Sequence, residues 1–279
     1  MPRLSINEMT TYRWSFLEDI TGLQALGVES VGIWRRKLSD FGEERGVELL
    51  RESGLAVSSL WSAGGFTGSD GHTYKDAIED ALDALRLAAE MKAGCLVVVS
   101  GGRASHTQSH ARRLLRDALC ELGDAAAQYG LSIALAPLHC PAHDRSSFLS
   151  SLDAALEMLT SCDHRRVGLV FDFLHVAHDP PLCQRLAQFV PWIKIAALSD
   201  AHLPAHSDDD RRIPGRGQMP LAEIFAALEG SGYRGAYDVH LLGENCWGLE
   251  YPNLVQDCLE GLAALCPRVF ARPAAAPRA

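Results

Sequence analysis

A single (β/α)8 barrel is the fold this sequence predicts, on three observations. Short β-rich runs alternate with longer stretches of helical spacing almost from end to end. The runs recur roughly every 25 to 40 residues, too far apart for hairpins, so they must pair in parallel through helical crossovers. Eight such runs fit in 279 residues, the size expected of one barrel of about 250 residues. A doubly wound open sheet is the competing architecture, but it would place a Gly-rich phosphate turn after the first strand. None is there. Ser100-Gly101-Gly102 follows the fourth strand and reads as a tight turn between strand and helix.

In chain order, the strands are expected at 4–7, 30–34, 56–61, 95–99, 132–135, 167–171, 193–198 and 236–239. The first helix opens on Ser15 with Glu18 three residues on, a capping-box spacing, and puts Phe16, Ile20 and Leu23 on one stripe. The clearest amphipathic helix has Ala77, Ile78, Ala81, Leu82, Leu85, Ala88 and Ala89 on one face and Lys75, Glu79, Asp80, Asp83 and Arg86 on the other. Leu115, Ala118, Leu119, Leu122 and Ala126 make a further stripe. The last helix, after Pro252, carries Leu254, Val255, Cys258, Leu259 and Leu262. No linker interrupts the series. Residues 1–271 are read as the barrel and 272–279 as a disordered tail rich in Ala and Pro.

The composition narrows the function. With 47% hydrophobic and 22% charged residues the chain can bury a large core. Its 26 basic against 35 acidic residues give a formal charge of -9, the wrong sign for holding a phosphate backbone. No run approaches the roughly 18 apolar residues of a membrane helix, and the start, MPRLSINEMT, lacks the apolar stretch of a signal peptide. A cytoplasmic protein is expected, with a small-molecule substrate, no nucleic-acid or membrane partner, and self-association left open. The eight cysteines, at 95, 120, 140, 162, 183, 246, 258 and 266, never form C-x-x-C, and most read as small core residues of a reducing compartment.

In such a barrel the chemistry sits where strands end. His139 closes the fifth strand, Asp172 and His175 the sixth, and His240 the eighth, with Glu244 shortly after. Three imidazoles beside a carboxylate can exchange protons near neutral pH or hold a divalent metal. Trp34, Trp61, Phe66 and Trp247 lie near strand ends and are candidates to wall the pocket. His178 and His143 lie in long loops over the site. Arg211 or Arg212, before the Pro214-Gly215 turn, is a candidate for binding a carboxylate or phosphate group, the alternative being a surface ion pair. The remaining histidines, 72, 106, 110, 164, 202 and 206, read as solvated surface residues.

At these strand ends the chain resembles the sugar phosphate isomerase and epimerase superfamily of xylose-isomerase-like barrels. The resemblance spans nearly the whole chain. It is carried by Gly32-Ile33-Trp34, Ser53-Gly54-Leu55, Ala136-Pro137-Leu138-His139, Asp172-Phe173-Leu174-His175, Ser199-Asp200, RRIPGRG from Arg211 to Gly217, and GAYDV from Gly235 to Val239. It implies a divalent metal held by Glu after strand five, Asp after strand six, His or Gln in strand seven and Glu after strand eight, the two glutamates moving protons beside a carbonyl. Here those positions hold Ala136, Asp172, Ala197 and His240, while His175 matches a substrate-contacting histidine.

Alanine offers no lone pair, so the four-ligand site cannot form. The expectation is an isomerase, epimerase or lyase that transfers a proton next to a carbonyl, or eliminates water, with no cofactor. His240 would be the acid/base, with a pKa needing little tuning. Asp172 would orient an imidazole or bind a substrate hydroxyl, and His175 would donate to a substrate oxygen. The alternatives are a zinc-type variant rebuilt from His139, Asp172 and His240, or a barrel that binds a small molecule without catalysis.

Overall fold

The computed structural model describes residues 3–139, 146–178 and 182–270. The residues from 271 onward, with the expected tail, lie outside that range, as do His143 and Cys140. Eight parallel strands close into a barrel: β1 (Leu4–Asn7), β2 (Ser30–Trp34), β3 (Ala56–Gly64), β4 (Leu96–Val99), β5 (Ile133–Leu135), β6 (Val167–Asp172), β7 (Ile193–Leu198) and β10 (Tyr237–Val239). Pairing of β1 with both β2 and β10 closes the ring. The main departures from the expected strands are that β3 runs on to Gly64 and β6 takes in Asp172. An unforeseen pair, β8 (Asp200–Ala201) and β9 (Arg211–Arg212), forms a small antiparallel ladder of its own.

Local signals shape the helices as expected. Ser15 caps the helix Phe16–Ala25 through a complete capping box, its backbone N–H donating to Glu18 Oε2 at 2.7 Å. The stripe of Phe16, Ile20 and Leu23 is buried against the barrel, with Asp19 unexpectedly on the same face. Helices Tyr74–Glu90, Gln108–Tyr129 and Tyr251–Leu265 likewise bury their apolar faces. No helix among the described residues is long and apolar enough to cross a membrane.

Period-two alternation along the strands separates two cores. Outward side chains such as Ile6, Val31, Leu135, Phe171, Leu198 and Val239 pack under the helices in one continuous cluster. Inward ones, Cys95, Val97, Ala134, Val170, Ile195 and Ala197 with Trp61 and Ala136, fill the barrel. Phe66 is completely buried in the outer cluster, so it packs the scaffold and does not wall a pocket. Gly32 is required by the interior: a Cβ there would lie 2.3 Å from Asp238 Oδ2 and 2.6 Å from Asn7 Nδ2.

Candidate active site

Asp172 ends β6 facing into the barrel, two residues beyond inward-facing Val170. Its Oδ1 accepts the backbone N–H of Leu174 at 3.0 Å, capping the short helix Phe173–Val176. The same carboxylate is gripped by Arg211, whose Nη1 donates to Oδ1 at 3.1 Å and Nη2 to Oδ2 at 3.0 Å. Arg211 also donates from Nε to Asp208 Oδ1 at 2.7 Å and from Nη1 to Ser199 Oγ at 3.3 Å. Both partners are nearly inaccessible to solvent, at 2% and 3% exposure. Burial alone would raise the Asp172 carboxyl, but the charge of Arg211, helped by His175, outweighs it and holds the group at about 2.

Of the two roles expected for Arg211, a site for a substrate anion or a surface ion pair, it is an ion pair that forms, but a buried one with Asp172. The β8–β9 ladder and the loop after it bring it there. Asp200 anchors that loop, accepting N–H groups from Gly215 at 3.0 Å, Gly217 at 2.9 Å and Met219 at 3.1 Å. The Ser199-Asp200 and RRIPGRG pieces of the sequence are therefore one structural unit. Arg212 turns away, donating to the backbone oxygens of Asp209 and Arg211 at 2.6 and 2.8 Å.

His240 follows β10 on the inward side, and its backbone N–H donates to Leu198 O at 2.8 Å. Its ring is buried, 4.9 Å from the Trp61 ring in an edge-on contact. Neither ring nitrogen has a hydrogen-bond partner among the described residues. Burial, followed by the charge of Arg211, lowers its pKa to about 3. This corrects the expectation of a histidine titrating near neutrality: the imidazole is neutral at pH 7 because its surroundings exclude water and include a fixed cation. His175 is buried on the helix after Asp172 and acts electrostatically on both Asp172 and His240.

Below His240 lies a network that local sequence reasoning missed. Asp238 faces inward one pleat deeper, about 6.6 Å along the strand. Its Oδ2 accepts Asn7 Nδ2 at 2.7 Å and Ser59 Oγ at 3.2 Å, and Ser59 in turn accepts Trp61 Nε1 at 3.0 Å. Oδ1 has no partner among the described residues. Burial raises this carboxyl to about 6 despite the bonds from Asn7 and the serines. The signal was present as an acidic residue in the middle of an eighth-strand run, where parallel barrel strands are otherwise apolar.

The other candidates sit at the periphery. His139 is half-buried, donates from Nδ1 to Ser150 O at 3.1 Å, and stacks on the exposed His178 with ring centroids 3.1 Å apart. It does not turn inward toward Asp172. Glu244 is exposed at the start of the helix Glu244–Trp247. Trp34 and Trp247 flank Tyr12, a residue not foreseen, at centroid distances of 5.5 and 4.8 Å. Beneath Trp34 is a buried ionic cluster: Glu8 Oε2 accepts the Trp34 N–H at 2.7 Å, and Lys37 Nζ donates to Asp19 Oδ2 at 2.5 Å and Glu8 O at 3.0 Å.

A divalent cation does not fit this donor set. Ala136 and Ala197 occupy two of the positions carried over from the resemblance, and both oxygens of Asp172 face a guanidinium that would repel a cation. No group of three His, Cys, Asp or Glu side chains among the described residues is arranged to hold a metal, so His139, Asp172 and His240 do not assemble as the rebuilt zinc site.

Comparison with known proteins agrees with the barrel. The family model described as xylose isomerase-like TIM barrel matches residues 21–264. A crystal structure of a Sinorhizobium meliloti protein superposes with a TM-score of 0.86 at 27% identity, over 95% of this chain and 98% of that one. The IOLI protein, solved with a bound zinc atom, gives 0.83 at 21% identity, over 97% and 100%. Among curated proteins, a 3-dehydroshikimate dehydratase of Pseudomonas putida is 23% identical over 260 residues, 89% of this chain. An inosose isomerase of Bacillus velezensis is 25% identical over 162 residues, 57% of this chain. The matches span 39% and 56% of those two relatives' lengths.

Proposed function

This chain belongs to the xylose isomerase-like TIM barrel family, and from that premise we propose that it is an enzyme moving a proton at the carbon beside a carbonyl of a small polyhydroxy or related hydroxy-carbonyl substrate. The outcome is isomerisation, epimerisation or loss of water. The single observation that carries this reading is His240: a buried, neutral imidazole at the end of a barrel strand with both nitrogens unbonded to any described residue. A neutral imidazole in that place is already in the form that accepts a proton, and the charge of Asp172 offsets part of the cost that burial and Arg211 place on the imidazolium.

Arg211 holds Asp172, the one position that keeps the ligand type the resemblance implies. Its guanidinium is fixed by Asp172, Asp208 and Ser199, and these bonds use four of its five N–H groups. The fifth, on Nη2, is left for a substrate oxygen. As His240 takes the proton, negative charge grows on the carbonyl oxygen, and a preorganised buried cation stabilises it without reorganisation. The new imidazolium is in turn favoured by Asp172. In this reading His175 donates to a second substrate oxygen, and Trp34, Tyr12 and Trp247, whose rings pack together, form one wall of the mouth. The names of the curated relatives, a dehydratase and an isomerase, support the class of chemistry without fixing the substrate.

The test is proton exchange. Incubating the protein in deuterated water with a panel of hydroxy-aldehydes, hydroxy-ketones and cyclic polyol ketones should show deuterium entering beside the carbonyl, or elimination, of at least one compound. His240→Ala should slow that turnover roughly 100-fold or more with the fold intact. Added zinc or manganese should leave it within about twofold. Near-normal turnover by His240→Ala, or one tightly held metal per chain that is lost on that substitution, would overturn the reading.

A further inference from the structure

Away from the barrel mouth, two cysteines on adjacent helices nearly touch. Cys120 lies midway along Gln108–Tyr129, and Cys162 is the last residue of Leu152–Cys162. Their sulfurs are 3.3 Å apart, and the Cys120 thiol also reaches the backbone oxygen of Cys162 at 3.7 Å. Both are half-buried free thiols, reachable by a small oxidant but screened from bulky ones. Among the described residues, Cys95, Cys183, Cys246, Cys258 and Cys266 make no such sulfur–sulfur contact, and three of them, Cys95, Cys246 and Cys258, are buried.

We propose that Cys120 and Cys162 form an oxidation site, converted by hydroperoxides to a reversible disulfide that staples the two helices flanking β5. A disulfide needs its sulfurs at about 2.05 Å, so the pair must close by about 1.3 Å, within the reach of a side-chain rotation or a small helix shift. The chemistry balances in two steps. The Cys120 thiolate attacks the peroxide, forming an S–O bond as the O–O bond breaks and leaving Cys120 as a sulfenic acid plus hydroxide, or alcohol from an alkyl hydroperoxide. The Cys162 sulfur then attacks the Cys120 sulfur, and the S–OH oxygen leaves with the Cys162 proton as water. Overall two thiols lose two electrons to one peroxide.

The order follows from the surroundings. Cys162 ends its helix, where the free carbonyls disfavour a thiolate, and burial reinforced by the neighbouring Cys120 raises its thiol, so it is the poorer first nucleophile. Arg116, one turn before Cys120, presents its charge to both sulfurs, although it also pairs with Asp117 at 2.7 Å. Asp124 and the backbone N–H of His164 act on the Cys162 side. The linked residues stand 42 apart in sequence, so the bond closes a long loop of the unfolded chain.

The experiment treats the reduced, full-length protein with a few equivalents of hydrogen peroxide, counts native-state thiols, and maps peptides by mass. The expected result is loss of two thiols per chain, a cross-linked peptide containing Cys120 and Cys162, and full reversal by dithiothreitol. The melting temperature should rise by roughly 8 °C in the oxidised form. Cys120→Ser and Cys162→Ser should each abolish the cross-link; if either variant fails to fold, the peptide map of the unaltered protein decides alone. A cross-link between other cysteines, sulfinic acid at Cys120 without a cross-link, or no thiol loss would overturn the assignment.

Discussion

Replacing Arg211 with methionine removes the guanidinium while keeping most of the side-chain bulk, and leaves Asp172 as a buried carboxylate whose one remaining hydrogen bond among the described residues is the cap bond from Leu174. Two charge-assisted hydrogen bonds to Asp172 are lost, at 3.1 and 3.0 Å, each worth about 1.5 to 3 kcal/mol in such a setting. The carboxyl gives an independent bound. Its pKa falls from 3.8 to about 2, which corresponds to about 2 kcal/mol of net stability. Because the folded value is the lower one, that contribution is present at neutral pH and is lost as pH falls from about 4 through about 2. The ion pair must supply more than this net figure, since burial opposes it. Breaking it should therefore cost about 3 to 5 kcal/mol. Asp208 keeps some solvent access, so its lost bond adds little. In urea unfolding at pH 7 the midpoint should drop by roughly 1 to 1.5 M for a chain of this size. The double variant Arg211→Met/Asp172→Leu should recover most of the loss, staying within about 2 kcal/mol of the unaltered protein once the cap is discounted. A single variant costing under about 1 kcal/mol, or a double variant at the sum of the two singles, would refute the pairing as the organising contact of the site.

Two further perturbations probe the buried titratable groups. His240→Glu should move the acid limb of kcat/KM to higher pH, because burial and then Arg211 hold the imidazole at about 3, while burial and the neighbouring Asp172 carboxylate push a carboxyl there above its ordinary value of about 4.3, against an Arg211 charge already met by Asp172 and Asp208. A downward shift, which the unperturbed pKa values of the two side chains would predict, would show that the imidazole is not buried as described. Asp238→Asn should stabilise the protein at pH 7 and do little at pH 4. The folded carboxyl sits at about 6, above its unfolded value, so it weakens folding progressively as pH rises from about 4 to 6, by up to about 3 kcal/mol. Urea midpoints of the two proteins that run parallel from pH 4 to 7 would contradict that sign.

Much of this protein was legible from local pattern. The strands and the principal amphipathic helices follow from hydrophobic period, and the Ser15–Glu18 box marked a helix start, because period and capping depend on residues within one or two turns. The placement of Asp172, His175 and His240 at strand ends was equally local: parallel strands fix which end of a barrel a residue closes. What those side chains meet was not local. Arg211 reaches Asp172 across 39 residues and Asn7 reaches Asp238 across 231, and nothing in either stretch of sequence specifies its partner. Phe66 and Trp61 look alike as aromatic residues near one strand, yet only the direction of the chain sends Phe66 outward into the helix layer and Trp61 inward against His240. Local pattern was enough for the barrel, its strand order and the residues at its mouth. For their protonation states and pairings it was not, because a pKa inside a protein is set by burial and by charges brought close through space, and both exist only once the ring has closed.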